Sequence, residues 1–285
     1  MNLYSVNAGY FKLDGGAMFG VVPKSIWNKL NAADENNLCS WAMRCLLIED
    51  GNRLILIDNG MGDKQDAKFY GHYYLHGDDN LDRSLSKHGF HRDDITDVLL
   101  THLHFDHCGG SIKKERGQLI PAFKNAIFWS NEDHWRWATE PNDREKASFL
   151  TENILPVKES GQLKMIETVQ GVSFSNDITI RFAFGHTDAM MLPQVSYKGR
   201  QVVFMADLLP SVGHIPIPYI MAYDTRPLQS MHEKKDFLQA AVTNDSILFF
   251  EHDPVYECCT LQLTEKGIRH KDLFKLQDID SNVSK

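Results

Sequence analysis

The chain is poor in cysteine, and its cysteines do not form a metal-binding or redox motif. Its 285 residues include five, at positions 39, 45, 108, 258 and 259, with no C-x-x-C spacing. An odd number without that spacing argues against a disulfide framework and against a thiolate zinc site. Cys108 directly follows a cluster of histidines, and we interpret it as a small packing residue beside that cluster.

Long hydrophobic runs and an excess of positive charge are also missing. No apolar run approaches the ~20 residues needed to cross a bilayer, and the N-terminal segment does not resemble a secretory signal. We therefore expect a cytoplasmic protein with no membrane partner. The net charge of −8 disfavours a protein that neutralises phosphate backbones, so no nucleic-acid partner is expected.

No repeat and no Pro/Gly/Ser-rich linker divides the chain, and 42% of its residues are hydrophobic. Apolar runs joined by turn pairs predict hairpins at Asp50-Gly51, Asn176-Asp177 and Lys198-Gly199. Two sheet-rich halves with outer helices predict an α/β fold, a layered sandwich in a single domain over 1–285. Four helices are predicted. One covers 82–90 and is stopped by Gly89, and a second begins after Asn131, which caps it. The third covers 143–155 before Pro156, and the fourth is an amphipathic helix over 227–242.

The most informative stretch is "HLHFDH", residues 102–107. It follows the short apolar strand "DVLL", and on an extended segment side chains two apart share a face. His102 and His104 can therefore converge on one ion, while Asp106 and His107 reach a second point in the turn beyond. Imidazole and carboxylate ligands suit zinc, iron, manganese or cobalt.

This H-x-H-x-D-H block resembles the hallmark of the metallo-β-lactamase superfamily, in which a distant His, Asp and His follow. His186 ends one apolar strand in "FGHT", Asp207 ends "RQVVFMAD", and His252 follows "SILFFE". Asp58, which ends "RLILID", resembles the superfamily's first element. All the matching positions occur in the expected order over nearly the whole chain.

The resemblance implies a four-layer αββα sandwich and a site with two divalent metal ions, zinc first and iron, manganese or cobalt as alternatives. A hydroxide bridging the two ions would be the nucleophile. Asp106 would also move a proton, and Asp58 would support the ligands. The implied ligands are His102, His104 and His186 on one ion, Asp106, His107 and His252 on the other, and Asp207 bridging them.

Within the superfamily the chain is most similar to the branch of N-acyl homoserine lactonases and methyl parathion hydrolase-like enzymes. This similarity predicts a hydrolase that opens lactones or cleaves esters, with N-acyl homoserine lactones or organophosphates as candidate substrates. The lactonases carry a catalytic tyrosine three residues after the bridging aspartate, where this chain has Pro210. Tyr223 is the replacement we predict, with Tyr219 and His214 as alternatives.

A second departure from the family pattern is "GHTDAM" in place of "GHTPGH", which adds Asp188. Thioester hydrolysis, phosphodiester cleavage and sulfur oxidation at a single iron remain alternative chemistries on the same fold.

Three loops are unusually apolar, and two interpretations of them stay open. They could line a cleft for an acyl chain or aromatic ring of a small-molecule substrate. They could also pack onto the core or form the face of a homodimer, and for each residue taken alone we favour packing. The residues concerned are Met18, Phe19, Val21, Trp27, Met190, Met191, Ile215, Ile217 and Tyr219.

Overall fold

The computed structural model describes residues 1–280 and divides them into two compact units. Unit 1 comprises Met1–Tyr10 and Met43–Val169, and unit 2 comprises Phe11–Ala42 and the described chain from Gln170 onward. The strands β1 (Asn2–Asp14) and β2 (Leu38–Asp50) contribute residues to both. The single domain predicted over 1–285 stays a prediction. Its last residues, 281–285, lie outside the described part of the chain.

The sheet of unit 1 is built from short, apolar strands that run largely in one direction. β3 pairs antiparallel with β2, and the predicted turn at Asp50-Gly51 joins them, with Gly51 at φ 62°. From β3 onward the neighbours are parallel, so β3, β4, β7 and β8 all end at the same edge. The sheet order is β1-β2-β3-β4-β7-β8, with β3 (Arg53–Ile57), β4 (Asp97–Leu99), β7 (Ile127–Asn131) and β8 (Leu163–Ile166).

Short helices and a small hairpin complete unit 1. Two predicted boundaries are confirmed: Asn131 caps its helix by accepting from the backbone N–H of His134 at 2.8 Å, and Gly89 follows its helix at φ 83°. The hairpin consists of β5 (Ile112–Glu115) and β6 (Gln118–Pro121). The helices are α3 (Ala67–Tyr73), α4 (Leu81–Lys87), α5 (Phe105–Cys108), α6 (Glu132–Thr139) and α7 (Thr151–Glu159).

The helix predicted over 143–155 is wrong in its first half. Residues 143–148 form turns, and α7 begins at Thr151 and continues through Pro156. The side chain of Asn142 accepts hydrogen bonds from the backbone N–H groups of Arg144 at 2.9 Å and Glu145 at 3.1 Å. These bonds cap a run of turns. The turns do not continue into α7, because Leu150 is extended at φ −88° and ψ 116°.

The sheet of unit 2 brings three strand ends to one edge. β10 and β12 are both antiparallel to β11, and β12 is parallel to β13, so β10, β12 and β13 run the same way. The turn pairs Asn176-Asp177 and Lys198-Gly199 join strands as predicted. In sheet order the strands are β15 (Gly267–Phe274), β14 (Cys258–Thr264), β13 (Ile247–Phe249), β12 (Arg200–Phe204), β11 (Met190–Tyr197), β10 (Ile178–Ala183) and β9 (Val172–Ser173).

The described part of unit 2 contains the helices α1 (Gly15–Phe19), α2 (Lys24–Trp27) and α8 (Pro227–Thr243). The amphipathic helix is confirmed as α8, although its buried side is not wholly apolar. Phe237 and Leu238 are buried, whereas Leu228 is 77% exposed and the buried side includes Lys234. Among the described residues, no helix combines the length and hydropathy that a membrane crossing needs.

Candidate metal centre

Asp58, at the end of β3, organises the ligand loop of unit 1. It adopts φ 56°, a left-handed conformation that turns the chain directly after the strand. Its carboxylate accepts from the backbone N–H of Thr101 at 2.8 Å and from the Thr101 hydroxyl at 2.6 Å. The same carboxylate lies 3.1 Å from Nδ1 of His107. A buried carboxylate with these partners fixes both the loop and the orientation of one imidazole.

His102 and His104 follow β4 and turn a nitrogen toward each other. The distance between His102 Nε2 and His104 Nδ1 is 3.1 Å, and both side chains are buried. The other nitrogen of each ring has a separate partner: the Thr101 hydroxyl lies 3.1 Å from His102 Nδ1, and a Glu145 oxygen lies 3.2 Å from His104 Nε2. Each ring therefore has one nitrogen engaged from behind and one directed at its neighbour.

Asp106, His107 and Cys108 lie together in the single turn of α5. Asp106 Oδ2 is 3.7 Å from His107 Nε2, the nitrogen on the far side of the ring from Asp58. The Cys108 thiol donates to the Leu103 carbonyl at 3.3 Å, and burial raises its pKa to about 12. The Cys108 thiol is thus already engaged with the backbone, which supports its interpretation as a packing residue.

The backbone approaches itself closely just after α5. A side chain at Gly109 would place its Cβ 2.2 Å from the Met61 carbonyl oxygen, and one at Gly110 would place it 2.3 Å from that of Asn59. Only glycine fits at either position, because a methyl group would overlap backbone that cannot move aside.

In unit 2, Asp207 lies between two histidines at the common edge of β10, β12 and β13. Asp207 Oδ2 is 3.1 Å from His186 Nε2, and Asp207 Oδ1 is 3.0 Å from His252 Nε2. One carboxylate thus turns one oxygen toward each imidazole. The predicted residues His186, Asp207 and His252 are together because their three strands end at the same edge.

The second nitrogens of His186 and His252 are also held. His186 Nδ1 is 2.9 Å from Asp224 Oδ1, and His252 Nδ1 donates to the Ala42 carbonyl at 2.7 Å. Burial alone would lower the pKa of His186, but Asp207 and Asp224 on either side of the ring outweigh it and raise that pKa to about 10. Such a concentration of buried negative charge attracts a cation.

The donor set fits divalent metal ions. In each unit a carboxylate lies beside a buried imidazole: Asp106 Oδ2 is 3.7 Å from His107 Nε2, and Asp207 lies between His186 and His252. Nitrogen and oxygen donors of this kind suit zinc and related transition metals. The described side chains that could take part in holding an ion are His102, His104, Asp106 and His107 in unit 1, and His186, Asp207 and His252 in unit 2.

The candidates for a catalytic side chain on the loop after Asp207 differ in their surroundings. Tyr223 is 40% exposed and directly precedes Asp224, the partner of His186. His214 is buried, accepts from Ser211 Oγ at 2.8 Å and donates to the Met18 carbonyl at 2.9 Å. Burial lowers the pKa of His214 to about 3, so it is a neutral ring fixed within the loop.

Most of the apolar loop residues pack into the interior. Val21 differs from them, with 91% of its side chain exposed. Asp188, the additional acid after His186, forms an ion pair with Arg226 at 3.0 Å. Several of the residues predicted in apolar loops do not lie in loops, since α1, α2 and β11 include five of them. The residues that are almost fully buried are Met18, Phe19, Trp27, Met190, Met191 and Ile215.

Four residues beside the predicted ligands escaped the sequence interpretation. Glu145 and Asp224 contact ligand imidazoles, and Lys234 holds the loop after Asp207. Burial, with the charge of Asp106 as a smaller cause, raises the pKa of Tyr73 to about 12. None of them belongs to the H-x-H-x-D-H block or ends an apolar strand, the two patterns that identify the metal ligands in the sequence.

Solved structures similar to this chain include metal-dependent hydrolases. A probable metal-dependent hydrolase from Staphylococcus aureus is 27% identical, with a TM-score of 0.87 and 96% of each chain covered. AidC, a dizinc quorum-quenching lactonase in complex with a product, N-hexanoyl-L-homoserine, is 22% identical, with a TM-score of 0.79 over 96% of this chain and 95% of that one. An N-acyl homoserine lactone hydrolase with its product at the catalytic metal centre is 20% identical, with a TM-score of 0.67 over 88% and 93%.

No curated protein sequence matches the chain. The sequence model of the metallo-β-lactamase superfamily matches residues 44–252, which include the H-x-H-x-D-H block and each strand-terminal His and Asp that follows it. The match and the similar structures confirm the predicted fold, with its mixed α and β content. The chain belongs to the metallo-β-lactamase superfamily.

Proposed function

We propose that this protein is a dinuclear metal-dependent hydrolase that opens lactones or cleaves related esters with an apolar portion. The ions would be held by the residues predicted from the sequence: His102, His104 and His186 on one, Asp106, His107 and His252 on the other, and Asp207 on both. Zinc is the metal we propose first, because imidazole and carboxylate donors suit it and AidC is a dizinc enzyme.

The observation that carries this proposal is the position of Asp207. Its two oxygens lie 3.1 Å and 3.0 Å from nitrogens of two different histidines. A carboxylate placed in this way suits the two cations of a dinuclear site, which typically lie ~3.5–4 Å apart. It favours two ions over one, and therefore hydrolysis over oxidation at a single iron.

When bound, the two cations would lower the pKa of a water molecule and polarise the substrate carbonyl. The residues of the chain would handle the remaining tasks. Hydroxide would add to the carbonyl carbon, and collapse of the tetrahedral adduct would break the bond to the ring or ester oxygen. That oxygen leaves as an alkoxide and needs a proton, which the newly added hydroxyl group can supply. We assign that proton transfer to Asp106. Asp58 would keep His107 and the Thr101 backbone in place while the charge moves.

An apolar substrate portion is supported by the similar lactonases, two of which hold N-hexanoyl-L-homoserine as product. In this chain the loop after Asp207 lacks the tyrosine at the third position, since Pro210 is there. We propose Tyr223, which is partly exposed, as the side chain that replaces it. Tyr223→Phe should then lower kcat with lactones while leaving metal content unchanged.

Elemental analysis combined with a substrate panel tests the proposal. The purified protein should contain close to two metal ions per chain and hydrolyse lactones or aryl esters. The panel should also include thioesters, phosphodiesters and phosphotriesters, because the fold supports those reactions too. One iron per chain with thiol-dependent oxygen uptake, or two ions with turnover of thioesters alone, would contradict the lactonase and esterase assignment.

The remaining expectations concern location and partners. We propose a cytoplasmic enzyme acting on a small molecule, without a nucleic-acid or membrane partner, and a homodimer as its assembly. Light scattering on a size-exclusion column measures the mass directly, and a monomer mass of 32.6 kDa would contradict the dimer.

A further inference from the structure

A buried carboxylate behind His104 has a role that the ligand pattern does not assign. Glu145 lies in the turns between α6 and α7 and is only 3% exposed. Isolated buried carboxylates are unfavourable, so a glutamate in this position needs compensating donors. Its surroundings supply them in a defined arrangement.

The two oxygens of Glu145 have different partners. Oε2 accepts from the Trp137 indole N–H at 2.7 Å and from the Asn142 side-chain amide at 2.8 Å. Oε1 lies 3.2 Å from His104 Nε2. Because Trp137 and Asn142 fix one oxygen, the other is held toward the imidazole.

The segment around Glu145 also holds His104 from other directions. The backbone N–H of Phe105 donates to the Ser148 carbonyl at 3.0 Å, which ties the ligand block to this segment. The Phe149 ring lies 4.8 Å from the His104 ring, centroid to centroid. His104 is therefore restrained in rotation by packing and by hydrogen bonds.

We infer that Glu145 is a positioning residue for the metal site: its carboxylate accepts the Nε2 proton of His104 and so keeps Nδ1 unprotonated, as the nitrogen that would bind the ion. An imidazole whose N–H donates to a carboxylate is held in one tautomer and is a stronger donor through its other nitrogen. Nδ1 of His104 is the nitrogen that faces His102 Nε2 at 3.1 Å. The inference rests on the proposed role of His104 as a ligand.

The test compares Glu145→Gln with wild type in zinc affinity, measured by chelator competition at fixed pH. Glutamine has nearly the same volume as glutamate but no charge. Its amide N–H₂ group is a donor, and it would face the donors of Trp137, Asn142 and His104. Loss of such an outer partner typically weakens metal binding about 10- to 100-fold. We expect one of the two ions to bind that much more weakly and the other to be little affected.

Glu140→Gln is the matched control, because Glu140 is exposed and lies five positions away in the same connection. It removes the same charge and should leave both affinities unchanged. Trp137→Phe removes the indole donor to Glu145 and should reduce affinity for the same ion, by less than Glu145→Gln. Circular dichroism of the metal-free variants checks that they fold.

A second measurement does not depend on metal binding. In metal-free protein at pH 8, ¹⁵N NMR of the His104 ring should find the proton on Nε2 in wild type and a mixture of tautomers in Glu145→Gln. Equal zinc affinities together with equal tautomers would overturn the inference. If wild type binds fewer than two ions, the proposed function fails by itself, and the tautomer comparison still decides the role of Glu145.

Discussion

Lys234 provides a stringent test of how the loop after Asp207 is held. It lies on α8, it is fully buried, and its ammonium donates to three backbone carbonyls of one loop. The acceptors are His214 at 3.0 Å, Pro216 at 3.1 Å and Tyr219 at 2.8 Å. Three donors thus meet three acceptors, which anchors the loop to the helix.

Lys234→Met should destabilise the protein by about 2–4 kcal/mol. Methionine fills a similar volume but donates nothing, so three carbonyls lose their partner at about 1–3 kcal/mol each. Two gains offset part of this loss: methionine has no ammonium to desolvate, and the partly exposed Pro216 and Tyr219 leave their carbonyls some access to water. The expected loss of stability therefore lies near the lower end of the summed cost of the three carbonyls.

Urea unfolding followed by tryptophan fluorescence measures the effect. Lys235→Met is the control, because Lys235 is the next residue and is exposed, and a surface change of this kind typically costs less than about 0.5 kcal/mol. If both variants unfold at the same urea concentration as wild type, the three hydrogen bonds do not stabilise the fold and the reasoning is refuted.

The same lysine predicts a pH dependence. Burial lowers the pKa of Lys234 to about 7, while nearby Asp224 opposes that shift. At pH values between the lowered pKa and the ordinary lysine pKa of about 10.4, the unfolded chain therefore binds more protons than the folded chain. Stability attributable to this group should rise with pH across that window, by up to about 1.4 kcal/mol per pH unit. The gap between wild type and Lys234→Met should therefore widen from pH 7 to pH 9, and a gap that narrows would contradict the sign.

Further predictions concern the metal site. Asp207→Ala should lower the metal content from two ions toward one and reduce kcat/KM by more than about 100-fold, the upper range for outer partners; two ions with full activity would contradict its bridging role. Cys108→Ser should retain both ions, since its thiol already donates to the Leu103 carbonyl, and loss of an ion would mean that Cys108 is a ligand. Removing metal with a chelator should lower Tm, because each ion at 100 times its Kd stabilises the fold by about 2.7 kcal/mol; calorimetry that finds the same Tm would argue that no ion is bound.

Much of the candidate site could be predicted from the sequence because its ligands follow a local rule. His186, Asp207 and His252 each come directly after an apolar run, and strands that run in the same direction end at one edge of a sheet. Periodicity and turn pairs likewise located the hairpins and α8. These signals depend on neighbouring residues alone, so a single sequence carries them.

Other features depended on contacts that the sequence does not reveal. The buried side of α8 includes Lys234, because the helix packs on a loop whose carbonyls need donors. The helix expected from Asp143 onward is replaced by turns and an extended Leu150, and in this segment Glu145 contacts Trp137.

The sequence by itself determined the family, the fold and the set of residues that could bind metal, because a spaced motif and strand-terminal ligands are local patterns. Only the tertiary structure decided what lies behind those residues. Glu145 reaches His104 across 41 positions, and Asp224 reaches His186 across 38. Such partners have no fixed spacing from the ligand, since any segment that folding brings alongside can supply a carboxylate.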